Sequence, residues 1–591
     1  MKYLSFVVIK FLFVPIVVLG LLTYSNPLYS QVRSIKSGDW HDASVWNTKK
    51  VPRLGSAVVI QHPITITRSV KVITSHRRTV RIPRAKSAMP RLTVVGGGVL
   101  QIAAGSTLEV DGSVLLDNAQ LIMNEGSSLL FKLPRKKAGT YSLTIGGVSG
   151  TKNAQLIARG TAAAPVKIAK RGGRKGVVFI SDGQQYGGGN ISASFLTIEN
   201  LGSGTLPAIS SSTPDGYVFS LSDTRLVRSG AIKSVSQLGV TATFLLDRVS
   251  FAESLGSYNL EVQGYNNLQS GTRTLRSCFF DALVRLYSPN DFIVNDSIFV
   301  QGYEVTEGKW QDFRRNLVMQ EGKALRSAGD IYDSYWLIDN AAETNPHFIQ
   351  SSYYSFDEIF SGNIFEATGP GADGDAILIG ESQKPVTITI EKNIVLPNGS
   401  NNTSGTPFSA QGNSNTAIYF DHNTFIAGIQ SAAVGETYQG YAGMLKSFRS
   451  NIAWDSQVRG YLLADSGSND AVIDLVPESA LSNNAIFNIL PGSNGFGLNN
   501  LEFSSNIQQL PFQIEPQFVD ATRDISSWAL SVGATDGSVK AALLALQEGV
   551  HEGSSVKSVA SLVDFVKKGF RPQNSALINA GHDGKTVGAV E

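Results

Sequence analysis

Five short segments of this chain start on asparagine and recur at nearly constant spacing: Asn363-Ile364-Phe365, Asn393-Ile394-Val395, Asn423-Thr424-Phe425, Asn451-Ile452-Ala453 and Asn484-Ala485-Ile486. The intervals are 30, 30, 28 and 33 residues. Ser277-Cys278-Phe279, Ser297-Ile298-Phe299 and Asn316-Leu317-Val318 align as earlier members, with weaker copies near Thr197, Thr224 and Ser250. Three residues before the polar position stand Val294, Phe313, Phe360, Ile390, Phe420, Phe448 and Leu481, and only Thr274 breaks this apolar column. A unit of this length, with a short strand and one recurring polar residue, fits one turn of a parallel β-helix whose turns stack about 4.8 Å apart. Like polar side chains at one turn position then hydrogen-bond along the stack and satisfy the bent backbone inside the wall. A β-propeller requires longer blades of about 40 to 50 residues. The interval of 47 residues between Asn316 and Asn363 departs from the period and reads as an insertion carrying Trp336, Tyr353 and Tyr354.

A chain of 591 residues ordinarily suggests about four domains, a prior that fails for solenoids because they grow without adding cores. The organisation read here is a signal peptide over 1–30, a β-rich entry module over 31–90, a right-handed parallel β-helix over 91–520 and a helical C-terminal cap with a closing strand over 521–591. The first segment is apolar from Phe6 to Leu22 apart from Lys10, and small residues end it at Ser30. Export to the cell surface or medium is the expectation, with no later membrane span. Removing Lys2 and Lys10 leaves 50 − 2 = 48 basic residues against 48 acidic ones. A neutral mature chain argues against a general nucleic-acid or membrane-surface binder. The single cysteine, Cys278, precedes Phe279-Phe280 and reads as a small buried hydrophobe.

The entry segment runs Gly38-Asp39-Trp40, Val45-Trp46, Val51-Pro52 and Val58-Val59-Ile60. It resembles the opening of exported bacterial β-solenoid proteins and, more loosely, of G8-type domains. Short strands punctuated by Gly96-Gly97-Gly98, Ala104-Gly105, Asp111-Gly112 and Glu125-Gly126 follow from Arg91 onward. Together with the asparagine repeat, they make the chain similar to the right-handed parallel β-helix of the pectate-lyase-like superfamily, asparagine ladder included. Glu515-Pro516-Gln517-Phe518-Val519-Asp520 and Ala576-Leu577-Ile578-Asn579-Ala580-Gly581, with Val587-Gly588-Ala589-Val590-Glu591, resemble the closures of bacterial β-helices. Helices are expected over Ser538–Gln547 and Ser555–Lys568, covering the last open turn.

The two residues before each ladder asparagine are expected to face solvent or a groove. Three successive turns thereby bring together Glu391, Lys392, Asp421, His422 and Arg449. A polyuronate lyase requires a base and a cation for the enolate-like charge, roles that Lys392 or His422 and Arg449 fit. A glycoside hydrolase requires two carboxylates, for which Glu391 and Asp421 are the pair. Opposite charges on adjacent strands also form ordinary solvated cross-strand pairs. The loop Gly369-Pro370-Gly371-Ala372-Asp373-Gly374-Asp375 offers Asp373 and Asp375 as ligands for Ca²⁺, with a glycine-rich turn as the plain alternative.

The resemblance implies an extracellular polysaccharide partner and, in many members, lyase or hydrolase activity. This chain departs from those enzymes: the N-x-D, D-D, G-H-G and R-x-K set of polygalacturonases is missing, and Arg81-Ile82-Pro83-Arg84 lacks the second arginine of the pectate-lyase element. No catalytic residue is carried over from either family. Two readings therefore stand: a secreted or surface β-helix engaging polysaccharide as a lyase or hydrolase, or a non-catalytic surface, adhesion or structural solenoid. Trp310, Trp336, Tyr353, Tyr354, Tyr438 and Tyr441 suit sugar stacking where exposed and packing where buried.

Overall fold

The computed structural model describes residues 32–52, 58–72, 92–133, 139–146, 154–172, 176–181, 189–211, 216–234, 242–262, 272–287, 292–305, 309–320, 325–326, 329–338, 349–351, 356–367, 377–379, 382–396, 408–410, 415–426, 445–454, 461–462, 482–487, 496–497 and 512–591. The chain is a right-handed parallel β-helix with a short helical region at its C-terminal end. Each turn contributes strands to stacked parallel faces. The first face includes Val32–Arg33, Val58–Ile60, Leu92–Val95 and Val114–Asp117, and continues to Tyr303–Val305. The second includes Glu358–Ser361, Val386–Glu391, Thr416–Asp421 and Leu445–Arg449. The third includes Ile364–Ala367, Ile394–Val395, Thr424–Ile426, Ile452–Trp454 and Ala485–Phe487.

Alternation along each strand fills the interior. In Val386–Glu391 the residues Val386, Ile388 and Ile390 are buried, and Thr387, Thr389 and Glu391 point outward, as a period of two requires. In-register stacking then places like on like. Phe420 and Phe448 lie 5.2 Å apart and nearly parallel.

The asparagine ladder forms at the corner between the second and third faces. Asn363, Asn393, Asn423 and Asn451 each donate their backbone N–H and their side-chain Nδ2 to Oδ1 of the asparagine one turn on, at 2.8–3.1 Å. The Nδ2 groups also reach back to the carbonyls of Ile331, Phe360, Ile390 and Phe420, which explains why the residue three before the ladder is part of the repeat. Every rung from Asn363 to Asn484 is at most 2% exposed. The preceding residue turns the corner in the left-handed region, with φ of 52° at Arg315, 57° at Lys392, 57° at His422, 58° at Ser450 and 59° at Asn483. Outside glycine that conformation costs roughly 1 kcal/mol, and the saturated ladder beneath it offsets the cost.

Two details of the repeat differ from the expectation. Cys278, not Ser277, occupies the ladder: its N–H donates to Ser297 Oγ, and Phe279 and Phe280 pair with Ile298 and Phe299. Ser277 is the left-handed corner residue, and the residue three before Cys278 is Leu275, which restores the apolar column. Likewise, Val249 rather than Ser250 stands beside Thr224. Second, the stretch between Asn316 and Asn363 holds a full turn. Ser334 is its rung, accepting from the Asn316 N–H and donating its own N–H to Asn363 Oδ1. Trp336 is fully buried between Phe313 and Phe365, at 6.2 and 6.3 Å, and Trp310 is buried as well, so both are packing residues. Tyr353, Tyr354, Tyr438 and Tyr441 lie outside the described residues.

Strands within 32–52 and 58–72 pair in register with the strands that follow, so the entry strands are the first turns of the same stack. Trp40 and Trp46 are buried in these first turns, edge to face at 4.9 Å, with Trp46 Nε1 donating to the Trp40 carbonyl. The C-terminal region has three helices, α1 (Ile525–Ser531), α2 (Val539–Glu552) and α3 (Val559–Gly569). Their apolar faces lie along the flank of the third face, against Ile298, Leu317, Leu337, Ile364, Ile394 and Ile426. Gln547 of α2 reaches the Phe251 carbonyl, and Lys567 of α3 pairs with the corner residue Asp333. The helical region therefore runs back along the side of the stack and shields outward apolar residues of many turns. Among the described residues no helix is long and apolar enough to cross a membrane.

Candidate functional site

The corner formed by residues 391–392, 421–422 and 449–450 gathers all five polar candidates. Strand register sets Glu391 beside Asp421 and Asp421 beside Arg449, and the left-handed residues Lys392, His422 and Ser450 follow them in a second column.

Each candidate is engaged. Asp421 Oδ1 accepts from the Arg449 N–H at 2.9 Å and from the Ser447 hydroxyl, and Asp421 Oδ2 accepts from Arg449 Nη2 at 3.0 Å. Glu391 Oε1 accepts from Ser361 Oγ at 3.1 Å, and Lys392 Nζ lies 3.6 Å from the Glu591 carboxylate. His422 is 5% exposed, and its Nδ1 donates to the Thr586 carbonyl at 3.1 Å.

The cover over His422 is the last segment of the chain. Gly581 to Gly584 form a tight turn, with the Gly584 N–H donating to the Gly581 carbonyl and the Gly581 N–H to Lys585 O. Three bonds hold that turn on the corner: His582 N–H to Ser450 Oγ at 2.9 Å, Asn483 Nδ2 to Ala580 O at 2.8 Å and Gly588 N–H to Ser450 O at 2.8 Å. Leu577 and Val587 pack on Ile452 and Ala485. A glycine is required at 588: its φ is 99°, and a Cβ there would stand 2.6 Å from Ile452 Cδ1 and 2.9 Å from Thr424 Oγ1.

The turn brings His582 and Asp583 to His422. The imidazole centroids are 5.1 Å apart, and Asp583 Oδ1 lies 3.2 Å from His422 Nε2. Partial burial raises the Asp583 pKa, but the Lys585 N–H, the His422 ring and the Lys585 ammonium outweigh it and hold the carboxyl down to about 2. Burial, and then the positive charge of Arg449, push the His582 ring below the ordinary histidine value.

Chemically, the corner is a network of paired charges on which the C-terminal segment rests, with His422 Nε2 the one ring nitrogen there that is buried without an aligned hydrogen bond among the described residues. Proton transfer between His422 and a polymer in solvent requires that segment to lift. Ser450, His582, Asp583, Lys585 and Thr586 belong to this site and were not singled out by the repeat. The contacts of His582, Asp583 and Thr586 with His422 span 160 to 164 residues, which periodicity does not record. Asp373 and Asp375 lie outside the described residues. No protein-family model matches the chain, and comparison with curated proteins and with solved structures finds no match.

Proposed function

We propose that this protein is an exported β-helix of pectate-lyase-like architecture that binds extracellular polysaccharide on its lateral wall without cleaving it. The observation that carries this reading is the state of the 391–449 corner. Its carboxylates and cations are engaged in ion pairs and hydrogen bonds, and its histidine lies beneath the chain's own C-terminal segment. That is the chemistry of a clasp rather than of an acid–base pair.

An aromatic and charged patch on the first face supports the binding half of the reading. Arg285 lies over the Tyr258 ring at 4.2 Å and near Tyr287 at 5.9 Å, while Glu304 accepts from Arg285 Nε and Lys233 pairs with Glu261. Flat rings beside fixed donors and acceptors suit a sugar chain, which offers apolar faces and hydroxyl edges.

The test is retention on a panel of uronate-containing and neutral polysaccharides, using the mature chain and Tyr258→Ala. The expected result is binding by the native chain that Tyr258→Ala weakens at least several-fold. Failure to bind any polymer on the panel would overturn the binding reading.

A further inference from the structure

The three side chains His422, His582 and Asp583 each present a ligand atom within 4.8 Å of the other two. Two ring nitrogens and one carboxylate oxygen form a donor set suited to Zn²⁺ rather than to Ca²⁺, which prefers six or more oxygens. Zinc bonds of about 2.0–2.2 Å place tetrahedral ligands about 3.3–3.6 Å apart, so the set closes by roughly 1 Å through rotation of the less buried His582 and Asp583 side chains.

The state of His422 points to a ligand independently of that proximity. The Thr586 carbonyl can only accept, so His422 Nδ1 is committed as its donor and Nε2 is the ring nitrogen left to meet a ligand. That Nε2 is buried and makes no aligned hydrogen bond, although Asp583 Oδ1 stands 3.2 Å away. At that distance the ring nitrogen and the carboxylate oxygen are placed to share one cation, a proton or a metal ion. The outer contacts match those that orient zinc ligands: a backbone carbonyl on the far nitrogen of His422, the Ser450 hydroxyl 2.9 Å from His582 Nδ1, and the Lys585 N–H on Asp583. Lys585 Nζ, 3.3 Å from Asp583 Oδ2, is the competing cation, and it sits at the exposed rim where it can swing away.

We infer that His422, His582 and Asp583 form a zinc-type transition-metal site that clasps the C-terminal segment to the corner of the β-helix. His422 comes from a turn of the stack, whereas His582 and Asp583 come from the closing turn. One ion therefore joins two parts of the chain about 160 residues apart in sequence, and it binds the folded chain far better than the unfolded one. His582 and Asp583 are less buried than His422, which leaves the outer coordination position to solvent. This inference does not depend on polysaccharide binding.

The experiment uses the untagged mature chain, stripped with chelator and titrated calorimetrically with ZnCl₂ and, separately, CaCl₂. One Zn²⁺ per chain is expected, with no heat from Ca²⁺ at the same concentration, and substituted Co²⁺ should show the visible absorption of a tetrahedral site. His582→Ala and Asp583→Asn, both in the surface turn, should each weaken Zn²⁺ at least tenfold with unchanged circular dichroism. His41→Ala, at the other end of the stack, should leave binding unaltered. Zinc should also slow amide hydrogen exchange across 577–591 in the native chain and not in His582→Ala. A stripped chain that takes up no Zn²⁺ at 100-fold molar excess, or one whose binding survives both turn variants, overturns the inference.

Discussion

The backbone N–H of Cys278 donates to Ser297 Oγ at 3.2 Å, which sets the chain's one cysteine on the same ladder as the asparagines. The thiol is fully buried, and burial pushes its pKa up to about 12. It should therefore resist thiol reagents in the native protein and react stoichiometrically after denaturation. Because the folded value lies above the unfolded one of about 8.5, the native state holds a proton that the unfolded state releases. The associated stability is complete below pH about 8.5 and is lost as pH rises toward 12. Cys278→Ser should flatten the alkaline limb of the stability profile relative to the native chain, as measured by denaturant melts at pH 8 and 10.

Asn423 accepts two bonds from Asn393 and donates to the Ile390 carbonyl and to Asn451. Asn423→Leu removes the partners of buried donors and of a buried acceptor, each costing roughly 1–3 kcal/mol, for a total of about 3 kcal/mol or more. Asn423→Ser should cost less, since Ser297 and Ser334 already serve as rungs. Chemical denaturation of the two variants checks the order, and equal stability of both would refute the ladder's energetic role.

Gly588→Ala tests how the last segment is held. A Cβ meets Ile452 and Thr424 in a backbone conformation that disfavours any side chain. Hydrogen exchange should accelerate at least tenfold across 577–591, with little change in the strands around Asn363 and Asn393.

The asparagine repeat was legible because one corner of every turn imposes the same demand: a short side chain with both donor and acceptor, met by Asn on successive turns. Where that demand is met by other residues the signal blurs. Ser277 and Cys278 are both small, so composition alone does not separate corner from rung. Ser334 sits on a turn 18 residues after Asn316 and 29 before Asn363, and without asparagine that turn reads as an insertion. Stacking of Glu391, Asp421 and Arg449 was legible from the period, since in-register strands carry charges into columns. The cover over His422 was not, because a contact between a mid-chain corner and a Gly-His-Asp-Gly turn leaves no trace in local pattern. For the same reason the sequence showed helices near the C-terminal end without showing that they run along the flank of the stack.

The function proposed above requires that the 391–449 corner fastens the chain and performs no chemistry on polysaccharide. Its most direct test is the time course of unsaturated ends and reducing ends released by the mature chain from a polymer that it retains, with and without added Ca²⁺ and Zn²⁺. The prediction is no release above the protein-free control, while Lys392→Ala, His422→Ala and Arg449→Ala lower the thermal midpoint. Sustained product release that disappears in Arg449→Ala, with the melting curve unmoved, would contradict it.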